Sequence, residues 1–250
     1  MKFLSLVTLT LGADLVNGHG YLSQPAASFQ GGAVVTKYEA LMTESCDPAF
    51  AGLKWDDNPE ANTATFASAF PNSQFDTLRA LMDSAAPSCG NTVTTGAPVD
   101  VSSLSSMKWQ NDQEMAGFID SHHGPCEAWI DGSDGSSTRV LQTDDCRRDY
   151  TGYPAEIPID FSSCSGDCTF TFYWLALHEP NWQVYKQCAP IVNGGSTESR
   201  SALKSTSTTS APAVLLSAEE ATTDTTEPAD SVYTTTSRCR ARRRNLRSGN

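Results

Sequence analysis

The sequence predicts an all-β protein, an antiparallel β-sandwich with long loops and a short helix, and three observations carry that expectation. Residues 168–177 alternate apolar and polar side chains and then run wholly apolar, as a strand does when its second half is covered on both faces. Residues 126–131, 138–142, 157–161 and 182–192 are further short strand candidates. Clusters of Gly, Asp, Ser and Pro separate them, such as Asp131-Gly132-Ser133-Asp134-Gly135, and short strands spaced by turn chemistry are the pattern of a sandwich.

Between Gln30 and Ser88 the strand signal disappears. Asp76 is placed to cap a short helix through Leu78, Leu81 and Met82. The rest of that stretch, with Asp47-Pro48 and Asp56-Asp57-Asn58-Pro59, reads as a long loop excursion. Long loops on a rigid sandwich are where binding surfaces are usually built. No internal repeat is evident.

Both ends read as lying outside the domain. Met1-Lys2 is a basic start, residues 3–11 are an apolar core, and Val16-Asn17-Gly18 places small residues where a signal peptidase inspects them. Cleavage after Gly18 makes His19 the first residue of a secreted, extracellular protein. From Ser196 to Asn250 the chain is crowded with Ser, Thr, Ala and Glu, too little apolar content to offset the entropy of ordering it. That tail ends in six Arg within residues 238–247. The expected organisation is a signal peptide at 1–18, one domain at 19–195 and a disordered tail at 196–250.

The 250 residues carry a net charge of −12, with −14 on residues 19–195 and +2 on the tail. Such a domain repels phosphate, which argues against nucleic acid as a partner. Outside the N-terminus no apolar run is long enough to cross a bilayer, so no membrane is expected. Eight cysteines suit an oxidising compartment. Seven lie in the domain, so not all can pair there. Cys164 with Cys168 and Cys126 with Cys146 are candidate pairs, and Cys188 needs Cys89 or Cys46.

The chemistry rests on four histidines, His19, His122, His123 and His178. A histidine at a free N-terminus offers its α-amine and ring Nδ1 to one ion. One more imidazole makes a three-nitrogen set that suits the tetragonal preference of Cu(II), whereas zinc favours a closed tetrahedron. The segment Ser121-His122-His123-Gly124-Pro125-Cys126 is the natural source of that imidazole.

Three segments together resemble the lytic polysaccharide monooxygenases, and most of all the pectin-active oomycete branch, auxiliary activity family 17. They are His19-Gly20-Tyr21, His122-His123-Gly124-Pro125, and Gln183-Val184-Tyr185-Lys186-Gln187-Cys188. The stretch Trp174-Leu175-Ala176-Leu177-His178 is also similar to the strand before the tyrosine strand in that superfamily. The resemblance implies an immunoglobulin- or fibronectin-III-like sandwich and a secreted copper enzyme. It would oxidatively cleave plant cell-wall polysaccharide, homogalacturonan above all, using dioxygen or hydrogen peroxide and an external electron donor.

Carried over residue by residue, the resemblance gives copper to His19 and His122, an axial place to Tyr185, and a hydrogen-bonding role toward the oxygen co-substrate to Gln183. Tyr21, Trp55 and Trp182 are candidates for stacking on sugar rings. His123 is expected beside the ligands rather than among them. His178 receives no role, because the position where relatives carry a further histidine reads as Phe172. A monomer is expected. The alternatives are a non-catalytic copper carrier, a metal-free wall-binding protein, a monooxygenase acting on cellulose or other glucans, and, more remotely, a glycoside hydrolase. Pectin is a polyanion, so its approach to this acidic domain would require basic residues on the binding face, from among Lys37, Lys54, Arg147, Arg148 and Lys186, or bridging calcium.

Overall fold

A computed structural model describes residues 20–31, 33 and 35–194. The proposed signal peptide, His19 and the tail from 195 onward lie outside the described residues.

Two facing sheets form the expected antiparallel sandwich. The smaller is β1 (Tyr21–Gln24), β6 (Ser106–Gln110) and β9 (Ala155–Pro158), in the order β1-β6-β9. The larger runs β3 (Ala40–Met42), β11 (Trp182–Asn193), β10 (Gly166–Ala176), β7 (Cys126–Gly132) and β8 (Ser137–Thr143), and β5 (Val99–Asp100) pairs in parallel with β11. A short ribbon of β2 (Ser28–Phe29) with β4 (Thr92–Val93) stands apart.

The alternation along β10 sorts its side chains into two cores, because successive residues of a strand face opposite ways. Phe170, Phe172, Trp174 and Ala176 join Leu22, Met107, Trp109, Ala155 and Ile157 between the sheets. Tyr173, Leu175 and Leu177 enter a second core under the 40–86 excursion, with Phe50, Trp55, Phe66, Phe75, Leu81 and Trp182. That double burial is why the second half of β10 is apolar without interruption.

The excursion is more ordered than its composition suggests. Residues Pro59–Ala69 form helix α1, started by Asn58, whose side chain accepts from Ala61 N, and by Pro59 in the first turn. Its buried positions are Asn62, Thr63, Phe66 and Ala69, too polar a face for hydrophobic periodicity to reveal. Asn62 replaces that apolar signal with hydrogen bonds: Nδ2 donates to Leu177 O at 2.9 Å and to Trp55 O at 3.1 Å. The short helix α2 (Leu78–Met82) is present as expected, but Thr77, not Asp76, accepts from Ala80 N as its cap.

Beneath α2 lies a buried carboxylate. Glu127 accepts from Leu78 N at 3.2 Å, Arg79 N at 3.1 Å, Trp129 Nε1 at 2.8 Å and Arg139 Nη1 at 2.9 Å. Every lone-pair direction of the buried anion therefore has a donor, the condition under which burying a charge is tolerated.

Disulfides join Cys126 to Cys146, Cys164 to Cys168, and Cys89 to Cys188. The first two are the candidate pairs, and the third settles the Cys188 alternative in favour of Cys89. Cys46 is buried in the second core. No helix among the described residues is long and apolar enough to cross a membrane.

Candidate metal centre

His122 is positioned by the backbone around it. Past the start of β7 the segment 123–125 stays paired with the end of β10, through Leu175 N to Pro125 O at 3.0 Å and Leu177 N to His123 O at 2.9 Å. Gly124 makes this approach possible, since a Cβ there would lie 1.8 Å from Leu175 O. On the other side Cys146 N donates to Gly124 O at 2.9 Å, next to the Cys126–Cys146 bridge. The His-His-Gly-Pro stretch is thus fixed by β10, by a disulfide and by a glycine that no larger residue can replace.

The two histidines of that stretch part ways. His122 is only 2% exposed, and its Nδ1 lies 2.9 Å from Ser121 Oγ, which fixes the ring and sets Nε2 as its other nitrogen. His123 Nδ1 meets Asp145 Oδ2 at 2.7 Å, and Nε2 lies 3.5 Å from Glu60 Oε1 at the start of α1. Held by two carboxylates, His123 is a structural tie between α1 and the Asp145 turn.

His178 stands against His122, the rings stacked with centroids 3.9 Å apart. Burial disfavours its charged form and lowers its pKa, with Glu179 acting in the opposite direction. Phe172 instead packs between the sheets against Trp109 and Phe118. The side chain beside His122 is therefore His178. The signal was available in sequence, because His178 follows β10 directly and the neighbouring β11 begins with the Gln-x-Tyr segment.

Tyr185 and Gln183 share one face of β11. The Tyr185 hydroxyl donates to Gln183 Oε1 at 2.5 Å, leaving the two Nε2 hydrogens as the amide's remaining donors. Trp174 links this pair to His122: its indole stacks on Tyr185 at 4.6 Å and lies 6.2 Å from the His122 ring. Burial pushes the Tyr185 hydroxyl well above its ordinary pKa, so it stays a neutral phenol.

The chain enters beside the same aromatic group. Gln187 donates to Gly20 O at 3.3 Å and accepts from Leu22 N at 2.7 Å, holding the start of β1 across the core. A Cβ on Gly20 would fall 2.2 Å from Trp109 Nε1, and the Trp109 ring lies 6.4 Å from Tyr185. Gly20 is thereby the residue that lets the N-terminal strand lie flat on Trp109. His19, its chain neighbour, lies outside the described residues.

Among the described residues no group of three His, Cys, Asp or Glu is placed to hold a metal. What they supply is one oriented imidazole and one neutral phenol, in surroundings where the cysteines of β7 and β11 are tied up in disulfides. An imidazole and a phenol without thiolate do not make the cysteine-rich set of a structural zinc site and are compatible with copper.

Two of the three candidate stacking residues are elsewhere. Trp55 and Trp182 pack on each other at 4.6 Å within the second core, 4% and 0% exposed. Their burial rules out a sugar contact, because their ring faces are covered by Phe50 and Phe66. Tyr21 is partly exposed, and its hydroxyl donates to Asp112 Oδ2 at 2.9 Å. Of the five expected bases, Lys54 pairs with Asp57, Arg147 with Asp120 and Arg148 with Asp149, Lys186 is buried against Asp83, and Lys37 stays exposed.

Fold and site together define an antiparallel sandwich with a stacked histidine pair, His122 buried and His178 partly exposed, and a tyrosine–glutamine pair at one end of its larger sheet. Neither a protein-family model nor a curated protein matches the chain. Solved structures that resemble it are lytic polysaccharide monooxygenases, at low similarity. One from Kitasatospora papulosa has 14% identity and a TM-score of 0.37, with 70% of this chain and 98% of that one covered. LPMO10B from Micromonospora aurantiaca has 14% identity and a TM-score of 0.35, covering 70% of this chain and all of the other.

Proposed function

We propose that the protein is a secreted, copper-dependent polysaccharide monooxygenase of plant cell-wall material, with pectin as its substrate. The observation that carries the reading is the run of contacts from His178 through His122 and Trp174 to Tyr185 and Gln183, next to the point where the chain enters β1. His19, freed by removal of residues 1–18, would contribute its amine and Nδ1, and His122 would contribute Nε2.

Bound there, copper supplies one-electron chemistry that activates dioxygen or peroxide with electrons from an external donor. The chain's own residues do the rest. Ser121 fixes the His122 ring, and the Cys126–Cys146 bridge with Gly124 fixes its backbone. Tyr185, kept protonated by burial, would stand beside the metal as a neutral phenol and add no negative charge. Gln183, oriented by the Tyr185 hydroxyl, offers amide hydrogens to an oxygen co-substrate. Among the described residues His178 is the titratable group stacked on His122 and so the candidate for holding or passing a proton. The chain acts as a monomer in this reading.

The test is direct. The copper-loaded protein beginning at His19 is incubated with pectin, a reductant and hydrogen peroxide, and the soluble products are weighed by mass spectrometry. Oligosaccharides heavier by one oxygen, absent without copper, are expected. Copper binding without oxidised products on pectin or glucans would leave a copper carrier instead.

A further inference from the structure

The larger sheet ends on an open edge. Among the described residues β8 pairs with β7 and with no strand beyond it, so the backbone groups on its outer side have no ladder to join. Ser137, Thr138, Arg139 and Gln142 on that strand are exposed. It contains no proline, which would have blocked further pairing. An edge left in this state takes an added strand readily.

Where β8 ends, a groove opens beside it. Phe66 of α1 and Phe70 just after it, stacked at 5.2 Å, form a wall with Pro71, Leu78 and Pro125, and Gln142 stands on the open side. The space is about 100 Å³. Since a cavity of about 150 Å³ takes a benzene ring, this one takes a single branched aliphatic side chain. Edge and groove are the two parts of a strand-addition site, backbone pairing along its length and a pocket for one side chain.

The chain supplies a matching segment. Between 196 and 250 one stretch alone holds four consecutive aliphatic residues, Ala213-Val214-Leu215-Leu216. Asn193 pairs with Gly166 and Cys126 with Trp174, so the groove lies about 27 Å along the sheet from the end of β11, at about 3.4 Å per residue. The 21 residues from Gly194 to Leu215 span up to about 70 Å when extended, which covers that distance and the width of the sheet.

Charge sets the direction. Asp144 stands at the groove, and residues 205–218 bring no charge to it. Arg139 lies toward the other end of β8, its Nη1 on Glu127 and its side chain 35% exposed, while Asp131 nearby is held by Arg79. A segment antiparallel to β8 with Leu215 opposite Gln142 brings Glu219 opposite Thr138, diagonal to Arg139. A parallel segment with Leu215 in the same place would carry Glu219 past Asp144 and away from Arg139.

We propose that residues 213–220 add to the open edge of β8 as an antiparallel strand, with Leu215 in the groove and Glu219 beside Arg139. The proposal needs neither copper nor a polysaccharide and is independent of the functional reading above.

Hydrogen exchange of the full chain from His19 onward, followed by NMR without metal, tests it. Amides of residues 213–217 should exchange about tenfold more slowly than those of residues 205–210, a factor that burial of one leucine can supply. The β8 amides that face away from β7 should be slowed as well. Leu215→Ser should return the segment to the rate of its neighbours and speed those β8 amides, with the amides of β10 unchanged. Glu219→Lys combined with Glu220→Lys should cut the protection about 2–5-fold, the range of an exposed ion pair. Both tail variants leave every residue of the sandwich in place, so lost protection in them is not unfolding. Ala67→Glu, which puts a charge into the groove, should act as Leu215→Ser does. Equal exchange across residues 205–217 overturns the proposal. So does protection that survives Leu215→Ser, because another part of the chain is then the occupant. Protection that appears only as dimers form in sedimentation overturns it in favour of a second copy's segment.

Discussion

The rings of His122 and His178 stack face to face, centroids 3.9 Å and planes 22° apart, at the end of β10. Side chains that orient a metal-binding imidazole cost about 10–100-fold in affinity or activity when removed. His178→Ala is therefore expected to lower turnover on pectin by about that factor while the folded protein still takes up one copper. A turnover number within twofold of the parent would make the stack incidental.

Trp182 and Trp55 are core residues, and their replacement should register as lost stability. Trp182→Ala is expected to cost about 3–5 kcal/mol, the range for removing a large aromatic side chain from a packed core. Urea unfolding of the metal-free protein measures it. A change below about 1 kcal/mol would place the side chain outside any well-packed core.

Glu127 is the charged keystone under α2, with four donors. Glu127→Ala leaves Arg139 and the α2 backbone without their acceptor, a loss of about 3–5 kcal/mol by analogy with broken buried pairs. Hydrogen exchange at Leu78 and Arg79 should accelerate in this variant, and unchanged protection there would contradict the assignment.

Asp112 has a pH signature. Hydrogen bonds from Tyr153, Gln110 and Tyr21 hold its carboxyl below the usual carboxylate range. A lowered folded-state pKa means that its contribution is fully present above the unfolded value and is lost only as pH falls through the folded one. The clamp should therefore remain formed from pH 7 down to about 5 and loosen only below about 4, the ordinary Asp range. The Asp112 side-chain carbon shift, followed by NMR, should titrate below that of an unperturbed Asp, and a midpoint at or above the ordinary value would be incompatible with the clamp.

The strands were legible because their signal is burial. β10 and β11 lie between two cores, so nearly every side chain is apolar or tied down, and the sequence records it. Helix α1 is not legible because its inner face includes the polar Asn62 and Thr63 and is held by hydrogen bonds of Asn62, which leave no hydrophobic period. Trp55 reads as a surface candidate for a related reason: an aromatic residue on a long loop looks the same in sequence whether the loop folds back over it or not, and the same excursion covers Trp182 at the start of β11. The His-x-Gly-Pro and Gln-x-Tyr segments put His122, Gln183 and Tyr185 forward as candidates, whereas the stacking of His178 on His122 depends on where β10 ends and is not legible in the sequence. Tyr153 and Asp112 lie 41 residues apart and meet only in three dimensions.

Copper binding at this site requires that the amine of His19 join His122. Cu(II) EPR of the protein starting at His19, set beside the same protein carrying one extra residue before it, measures that contact most directly. An axial spectrum with nitrogen splittings, lost or markedly altered by the single added residue together with tight binding, is the predicted result. Identical spectra and affinities for the two proteins would contradict it.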